Sequence, residues 1–328
     1  RQITGDETQA SVLECRCDSC RHLGFVERVN RLTTETARVC AGYGKEVQMR
    51  TWGRMGELTA ESGPAHMGDG LPNHVFFSIK NTQGDFHLPN AMDEGFIRAA
   101  DAKRIIVEFD AWREYEGHNY FPCYMGDIWA PRFKLLQQLG IKRIAVRLNW
   151  NSNINPIFAA PWGNLVNIYT FLKLAENPQR SPDDILRSFI RENYPQACQE
   201  KAFALYKFTS AFQKTMYYFQ GHYSANHSRV QDDDALKVLS ALQKTGEFTS
   251  AEHFAGKRAQ IERAGEEAER LVQAIAPHVP AAWGQGLLQG IIVEQTIARA
   301  NLIKMEAWFW KKQNNENEYR QVLEQLRQ

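Results

Sequence analysis

The sequence contains no apolar run of the roughly 18 residues that a membrane-crossing helix requires. Cysteine is scarce: six in 328 residues, far too few for a fold built on disulfides. There is no excess of either charge. Thirty-nine Lys and Arg oppose 38 Asp and Glu, for a net charge of +1. That balance excludes bulk attraction to nucleic acid or to an anionic membrane, so any charge selectivity must be local. Neither an initiator Met nor an apolar leader opens the chain, and a targeting peptide is therefore expected to be absent or removed. The length suffices for two domains.

Three cysteines crowd into Cys15-Arg16-Cys17-Asp18-Ser19-Cys20. With Cys40 as a fourth ligand, this C-x-C-x-x-C run has donors enough for a structural zinc. It lacks the paired C-x-x-C spacing of zinc ribbons. Reduced packing thiols or a local disulfide are the expected state, and no metal or other cofactor is expected.

Short β-branched runs alternate with helical segments through the first half of the chain, the pattern of a parallel sheet with crossover helices. Strands are expected at 2–4, 46–51, 74–80, 104–109 and 142–148. Between them, Val26, Val29, Leu32, Ala37 and Cys40 recur at helical spacing before Gly42. Residues 128–139 read likewise as a helix, with Gly140 as its stop. Residues 53–72, rich in Gly and Pro, are expected to form a long loop. Five strands fall short of the eight in a closed (β/α)8 TIM barrel. Because five parallel strands with a bare edge invite aggregation, the expectation is a barrel whose first strands lie outside this sequence. An open five-stranded sheet is the competing arrangement.

Strand signals stop after about residue 162. Ser181-Pro182-Asp183-Asp184 is a helix start, with a capping Ser, Pro at the first helical position and acids in the first turn. Helical periodicity then fills 197–222, 235–245, 251–276, 286–312 and 319–326. The fold expected is thus α/β: later strands and helices of a barrel over 1–178, then an all-helical domain over 179–328. The apolar faces of those helices are expected to pack on the barrel and to offer a surface for a homodimer.

Acidic side chains stand at the ends of two successive runs. The run from His74 to Lys80 leads through Asn81 and Gly84 to Asp85, and Glu108 falls near the end of the next, ahead of Trp112-Arg113-Glu114-Tyr115. Carboxylates converging on one barrel mouth are what glycoside hydrolysis uses, one side activating water for attack on the anomeric carbon. Taken singly, each acid reads equally as a solvated loop acid or a helix cap. Arg50 and Lys80 end neighbouring runs, and this pair suits a carboxylate sugar, Arg as a fork and Lys as a point charge. Internal salt bridging, Arg50 to Asp85 for instance, is the alternative. Trp52, Trp112 and Trp150 each sit a few residues past a strand end, placed to stack on sugar faces or to serve as core, and Asn149 offers an amide to hydroxyls. A general acid is also needed. Asp6 and Glu7 fill that slot, with a pKa that burial or a neighbouring carboxylate must raise; the alternative is a pair of plain loop acids.

These segments resemble glycoside hydrolase family 67, the α-glucuronidases. Ile79-Lys80-Asn81-Thr82-Gln83-Gly84-Asp85-Phe86 is similar to the family's I-K-N-G-P-I-D-F, and Val107-Glu108-Phe109-Asp110-Ala111-Trp112-Arg113-Glu114-Tyr115 to its E-F-Q-I-T-Q-E-Y. Tyr124-Met125-Gly126-Asp127-Ile128-Trp129 falls where the family has Y-L-x-P-M-W. Asn149-Trp150 and the run from Asn167 to Pro178 look like its N-W and N-x-Y-x-F-x-R-L-A-W-(N/D)-P, and Met49-Arg50-Thr51-Trp52 stands at its W/Y-R-A-F strand end. The resemblance spans roughly residues 1–200. It implies an inverting hydrolase that releases glucuronic or 4-O-methylglucuronic acid from xylan-type oligosaccharides without a cofactor. It further implies Glu7 as general acid, Asp85 and Glu108 as the base side, and Arg50 with Lys80 on the uronate carboxylate. The chain departs from the pattern at Gln83 and Gly84, and offers only Gly5-Asp6-Glu7 for the family's A-D-S-E-G. The readings that compete are a noncatalytic acidic-glycan-binding protein on a degenerate barrel and a zinc-stabilised structural module.

Overall fold

The computed structural model describes residues 2–3, 17–50, 70–149, 157–158, 160, 162–225, 228, 230, 242 and 250–325. The chain divides into two compact units interleaved in sequence. One comprises Arg1–Phe86, Asn90–Phe109 and Pro131–Val146; the other comprises His87–Pro89, Asp110–Ala130 and Arg147–Gln328.

The first unit is built on a five-stranded sheet in sequential order: β1 (Gln2–Ile3), β2 (Val47–Arg50), β3 (Val75–Lys80), β4 (Ile105–Asp110) and β5 (Ile144–Arg147). Pairing is parallel, with Ile3 opposite Met49, Arg50 opposite Ser78 and Lys80 opposite Glu108. The Val107 N–H bonds to the Arg143 carbonyl, and Ala111 bonds to Arg147 four residues on, which sets β5 in the same direction. Each expected strand is present. The fold is α/β with a parallel sheet.

Side chains alternate across a sheet, and here the two faces differ in chemistry. Met49, Phe77, Val107 and Phe109 share one buried apolar face. Helix α1 (Phe25–Ala41) meets it through Thr33, whose hydroxyl lies 3.3 Å from the Met49 sulfur. Phe133 of α3 (Gly126–Gln138) packs on Phe109 with ring centroids 4.7 Å apart. The opposite face carries Gln48, Arg50, Ser78, Lys80 and Glu108. All six residues of β3 are buried, as expected of a parallel strand covered on both sides. A short helix, α2 (Glu94–Ala99), precedes β4. Gly140 ends α3 at φ 68, and the Ile141 N–H closes back on the Leu136 carbonyl, the Schellman arrangement that needs a residue without Cβ.

The second unit is mainly helical: α4 (Leu165–Glu176), α5 (Pro182–Asn193), α6 (Gln199–Tyr217), α7 (Glu252–Ile275), α8 (Ala281–Lys312) and α9 (Glu316–Glu324). Helices α6, α7 and α8 pack on one another around Leu205, Phe212, Phe254, Ile261, Leu287 and Met305. Pro182 begins α5, although the Ser181 side chain makes no capping bond. The expectation of an all-helical domain needs correction. The helix read over 197–222 stops at Tyr217, and Tyr218–Phe219 (β6) pairs antiparallel with His222–Tyr223 (β7). Gln220 and Gly221 turn the chain at φ 48 and 83, the double positive φ of a type I′ hairpin. Of the helix expected over 235–245, only Leu242 lies within the described residues.

Between β4 and α3 the backbone of residues 111–125 is irregular and almost entirely buried. A buried loop needs partners for its amides, and helix side chains supply them. Asn164 accepts from the Cys123 N–H at 2.8 Å, Asn167 from Met125 at 3.0 Å, Thr209 from Tyr124 at 2.9 Å and Glu294 from Phe121 at 3.1 Å. The Asn164 and Asn167 amides donate in return to the Trp112 and Cys123 carbonyls, at 3.1 and 2.9 Å.

Candidate functional site

At the carboxyl ends of β2, β3 and β4 the polar face of the sheet gathers two acids and two cations. Arg50 Nε donates to Glu108 Oε2 at 2.9 Å, and Ser78 Oγ donates to Glu108 Oε1. Both side chains of the Arg50–Glu108 pair are 11% exposed. Lys80 forms an ion pair with Asp85 and lies 5.0 Å from the centre of the Phe86 ring. The parallel register explains the grouping: Arg50 faces Ser78, and Lys80 faces Glu108. Left-handed Gly84, at φ 69, turns the chain just before Asp85. The ion pairing that the sequence raised as an alternative therefore exists with different partners, Arg50 to Glu108 and Lys80 to Asp85.

One guanidinium nitrogen is left over. Arg50 Nη2 is buried and, among the described residues, has no hydrogen-bond partner, a costly state for a charged donor and one that an incoming carboxylate would relieve. The loop carrying Asp85 is held from below. Arg132 of α3 donates to Asn81 Oδ1 and, at 2.7 Å, to the Asn90 carbonyl; Asn90 donates in turn to the carbonyls of Gln83 and Asp85 at 2.8 and 2.9 Å. The Asn81 amide donates to the Glu108 carbonyl at 2.6 Å. The sequence reading missed Ser78, Asn81, Asn90 and Arg132. Ser78 was detectable, since it stands two residues before Lys80 on the same strand face. Arg132 was not, because only the packing of α3 brings it to the loop.

The remaining expected site residues fare differently. Glu7, Trp52 and Trp150 lie outside the described residues, as do Asp6 and Cys15. Asn149 is exposed, two residues past β5. Trp112 is fully buried and stacked on His118, with centroids 4.7 Å apart and planes 13° from parallel; it stands in the core of the second unit instead of presenting an open face.

A second set of charges follows β4 in the second unit. Asp110 accepts from the Arg113 and Glu114 N–H groups at 3.2 and 2.8 Å. Arg113 pairs with Glu116, and Arg147 with Glu114. Glu116 also accepts from the Leu88 N–H at 2.8 Å and from the Tyr218 hydroxyl. Burial raises the pKa of Asp110 and of Glu116 against the pull of Arg113, and it holds Glu294 well above the usual carboxylate range. Arg113, His118 and Asn119 all adopt positive φ, at 64, 46 and 63. These groups fix a strained loop, each committed to a partner inside the protein.

Among the described residues no grouping of His, Cys, Asp and Glu is arranged to hold a metal ion, and no helix is long and apolar enough to cross a membrane. Cys17 is exposed, while Cys20 and Cys40 are partly buried. No family model matches the sequence, and no curated protein matches it.

Proposed function

We propose that this chain carries the later strands of a (β/α)8 barrel hydrolase that releases α-linked uronic acids from xylan-type oligosaccharides with inversion. The observation that supports the reading is the pairing of two carboxylates with two cations at adjacent parallel strand ends, with one buried Arg50 nitrogen that has no partner among the described residues. In a barrel such ends converge on one mouth. A uronate carboxylate entering there accepts from the spare Arg50 Nη2 and meets the Lys80 ammonium as a point charge. Glu108, its oxygens fixed by Arg50 and Ser78, and Asp85, steadied on Lys80, form the base side that orients and deprotonates water. The motif resemblance assigns the proton for the leaving oxygen to Glu7; an inverting mechanism needs its acid and base roughly 6.5–9.5 Å apart to leave room for that water. The motif resemblance to family 67 assigns the same residues to the same tasks, and no cofactor enters the chemistry.

The test is uronate release from aldouronic acids, with neutral xylo-oligosaccharides as the control. Glu108→Gln and Asp85→Asn are each expected to lower kcat by about 10²–10⁴, the usual worth of a general base. Arg50→Met should act mainly on KM. Wild-type rates in both acid variants, or equal use of neutral substrates, would sink the reading. Binding of aldouronic acids without turnover would favour a noncatalytic acidic-glycan-binding protein instead.

A further inference from the structure

The second unit holds a cavity of about 730 Å³ between the C-terminal end of α6, the β6–β7 turn and the first turns of α7. Lys214 and Thr215 line it from α6, Tyr218 and Gln220 from the hairpin, and His253 and Lys257 from α7. Its volume falls within the range of small-molecule sites. Lys257 is the anomaly. Its residue is only 9% exposed, yet among the described residues its ammonium makes a single hydrogen bond, to the Tyr218 carbonyl at 2.6 Å, and no carboxylate pairs with it. An ammonium has three donors, so two remain unused. A buried cation without an anion costs several kcal/mol. Lysine normally avoids that cost by reaching its head out to the surface, whereas this residue stays buried against the cavity wall. Among the described residues the one acid on the cavity wall, Glu252, is exposed at the start of α7, where it faces the positive end of the helix dipole.

We propose that this cavity binds a small molecule bearing an oxyanion, a carboxylate or a phosphate, with Lys257 as its buried counter-ion and Lys214 as a second cation on the wall. The bound oxyanion accepts the two unused Lys257 donors, and the open end of the cavity takes the rest of the molecule. Burial lowers the Lys257 pKa to about 8, as expected for a site waiting for its anion. The cavity lies within the second unit, and its chemistry is independent of the strand-end pairs.

The test uses the full-length protein and two probes, inorganic phosphate and succinate, against chloride at equal ionic strength. Trace acetylation is mapped lysine by lysine with mass spectrometry. Lys257 should be modified several-fold more slowly with either probe, while exposed Lys142 is unchanged. Protection by only one probe narrows the oxyanion to that type. In calorimetry Lys257→Gln should weaken binding of the protecting probe about tenfold or more, the worth of charge-assisted hydrogen bonds. If neither probe slows Lys257 beyond chloride, or if binding is unchanged in Lys257→Gln, the proposal falls. The acetylation arm needs no variant, so a misfolded substitution does not obscure it.

Discussion

Replacing Lys257 by Met should stabilise the ligand-free protein at neutral pH, and the gain should vanish in alkali. Met keeps the length and apolar stem of the side chain and removes the charge. A lysine whose pKa falls from 10.5 in the unfolded chain to about 8 in the folded one carries a penalty of about 3 kcal/mol, at 1.36 kcal/mol per unit. The lost bond to the Tyr218 carbonyl returns about 1 kcal/mol, leaving a net gain of about 2 kcal/mol at pH 7. The sign follows from proton counting. Below pH 8 both states are protonated and the folded state bears the whole penalty. Between 8 and 10.5 the unfolded chain binds more protons, so wild-type stability rises with pH. Above 10.5 both states are neutral and the penalty is gone. Urea denaturation of the two proteins at pH 7 and pH 10 therefore measures a double difference in which every other titration cancels. The Met advantage should shrink by roughly 2–3 kcal/mol between those values. An advantage that stays constant with pH, or a variant less stable than wild type at pH 7, would refute the account of Lys257 as a buried, uncompensated cation.

Two further outcomes follow from packing and burial in the second unit. A Cβ on Gly290 of α8 would overlap the Tyr120 carbonyl, which is backbone and cannot swing aside. Gly290→Ala should cost about 1–3 kcal/mol despite the better helix propensity of Ala, and thermal or urea melts at or above wild-type stability would contradict this. Burial pushes the Cys123 thiol up to about 12, against the pull of Arg113, so at pH 8 about one molecule in 10⁴ carries the thiolate. Cys123 should be silent to a thiol-specific disulfide reagent in the native protein and react in denaturant; rapid native labelling mapped to Cys123 would overturn its assignment to the core.

The parallel sheet was legible because β-branched runs such as Ile105-Ile106-Val107 stand apart from the helical repeats around them, and in a parallel strand burial on both faces leaves few polar interruptions. Arg50, Lys80 and Glu108 were legible as strand-end residues, since period-two alternation and parallel register together place them on one face, and Asp85 as the acid of the loop that follows β3. Their pairing was not. Whether Arg50 meets Asp85 or Glu108 depends on a one-strand difference in register that no local pattern encodes. The β6–β7 hairpin was hidden because Tyr218, Phe219, His222 and Tyr223 continue the aromatic character of α6, and only Gly221 hints at the turn. The anchoring of residues 111–125 by Asn164, Asn167, Thr209 and Glu294 was equally invisible, since polar residues within helices carry no mark of which distant amide they will meet.

That anchoring bears on how the chain can be cut. The backbone passes from one compact unit to the other after Phe86, Pro89, Phe109, Ala130 and Val146, so no single cleavage separates them into contiguous fragments. A fragment beginning at residue 147 would keep the helices but strand their internal acceptors: Glu294, Asn164, Asn167 and Thr209 would lose the amides of Phe121, Cys123, Met125 and Tyr124. The helical part is thus not a portable module. Proteolytic dissection or domain grafting at the apparent sequence boundary near residue 178 would yield helices with exposed or unsatisfied polar cores, and any workable excision has to carry the loop between β4 and α3 along with them.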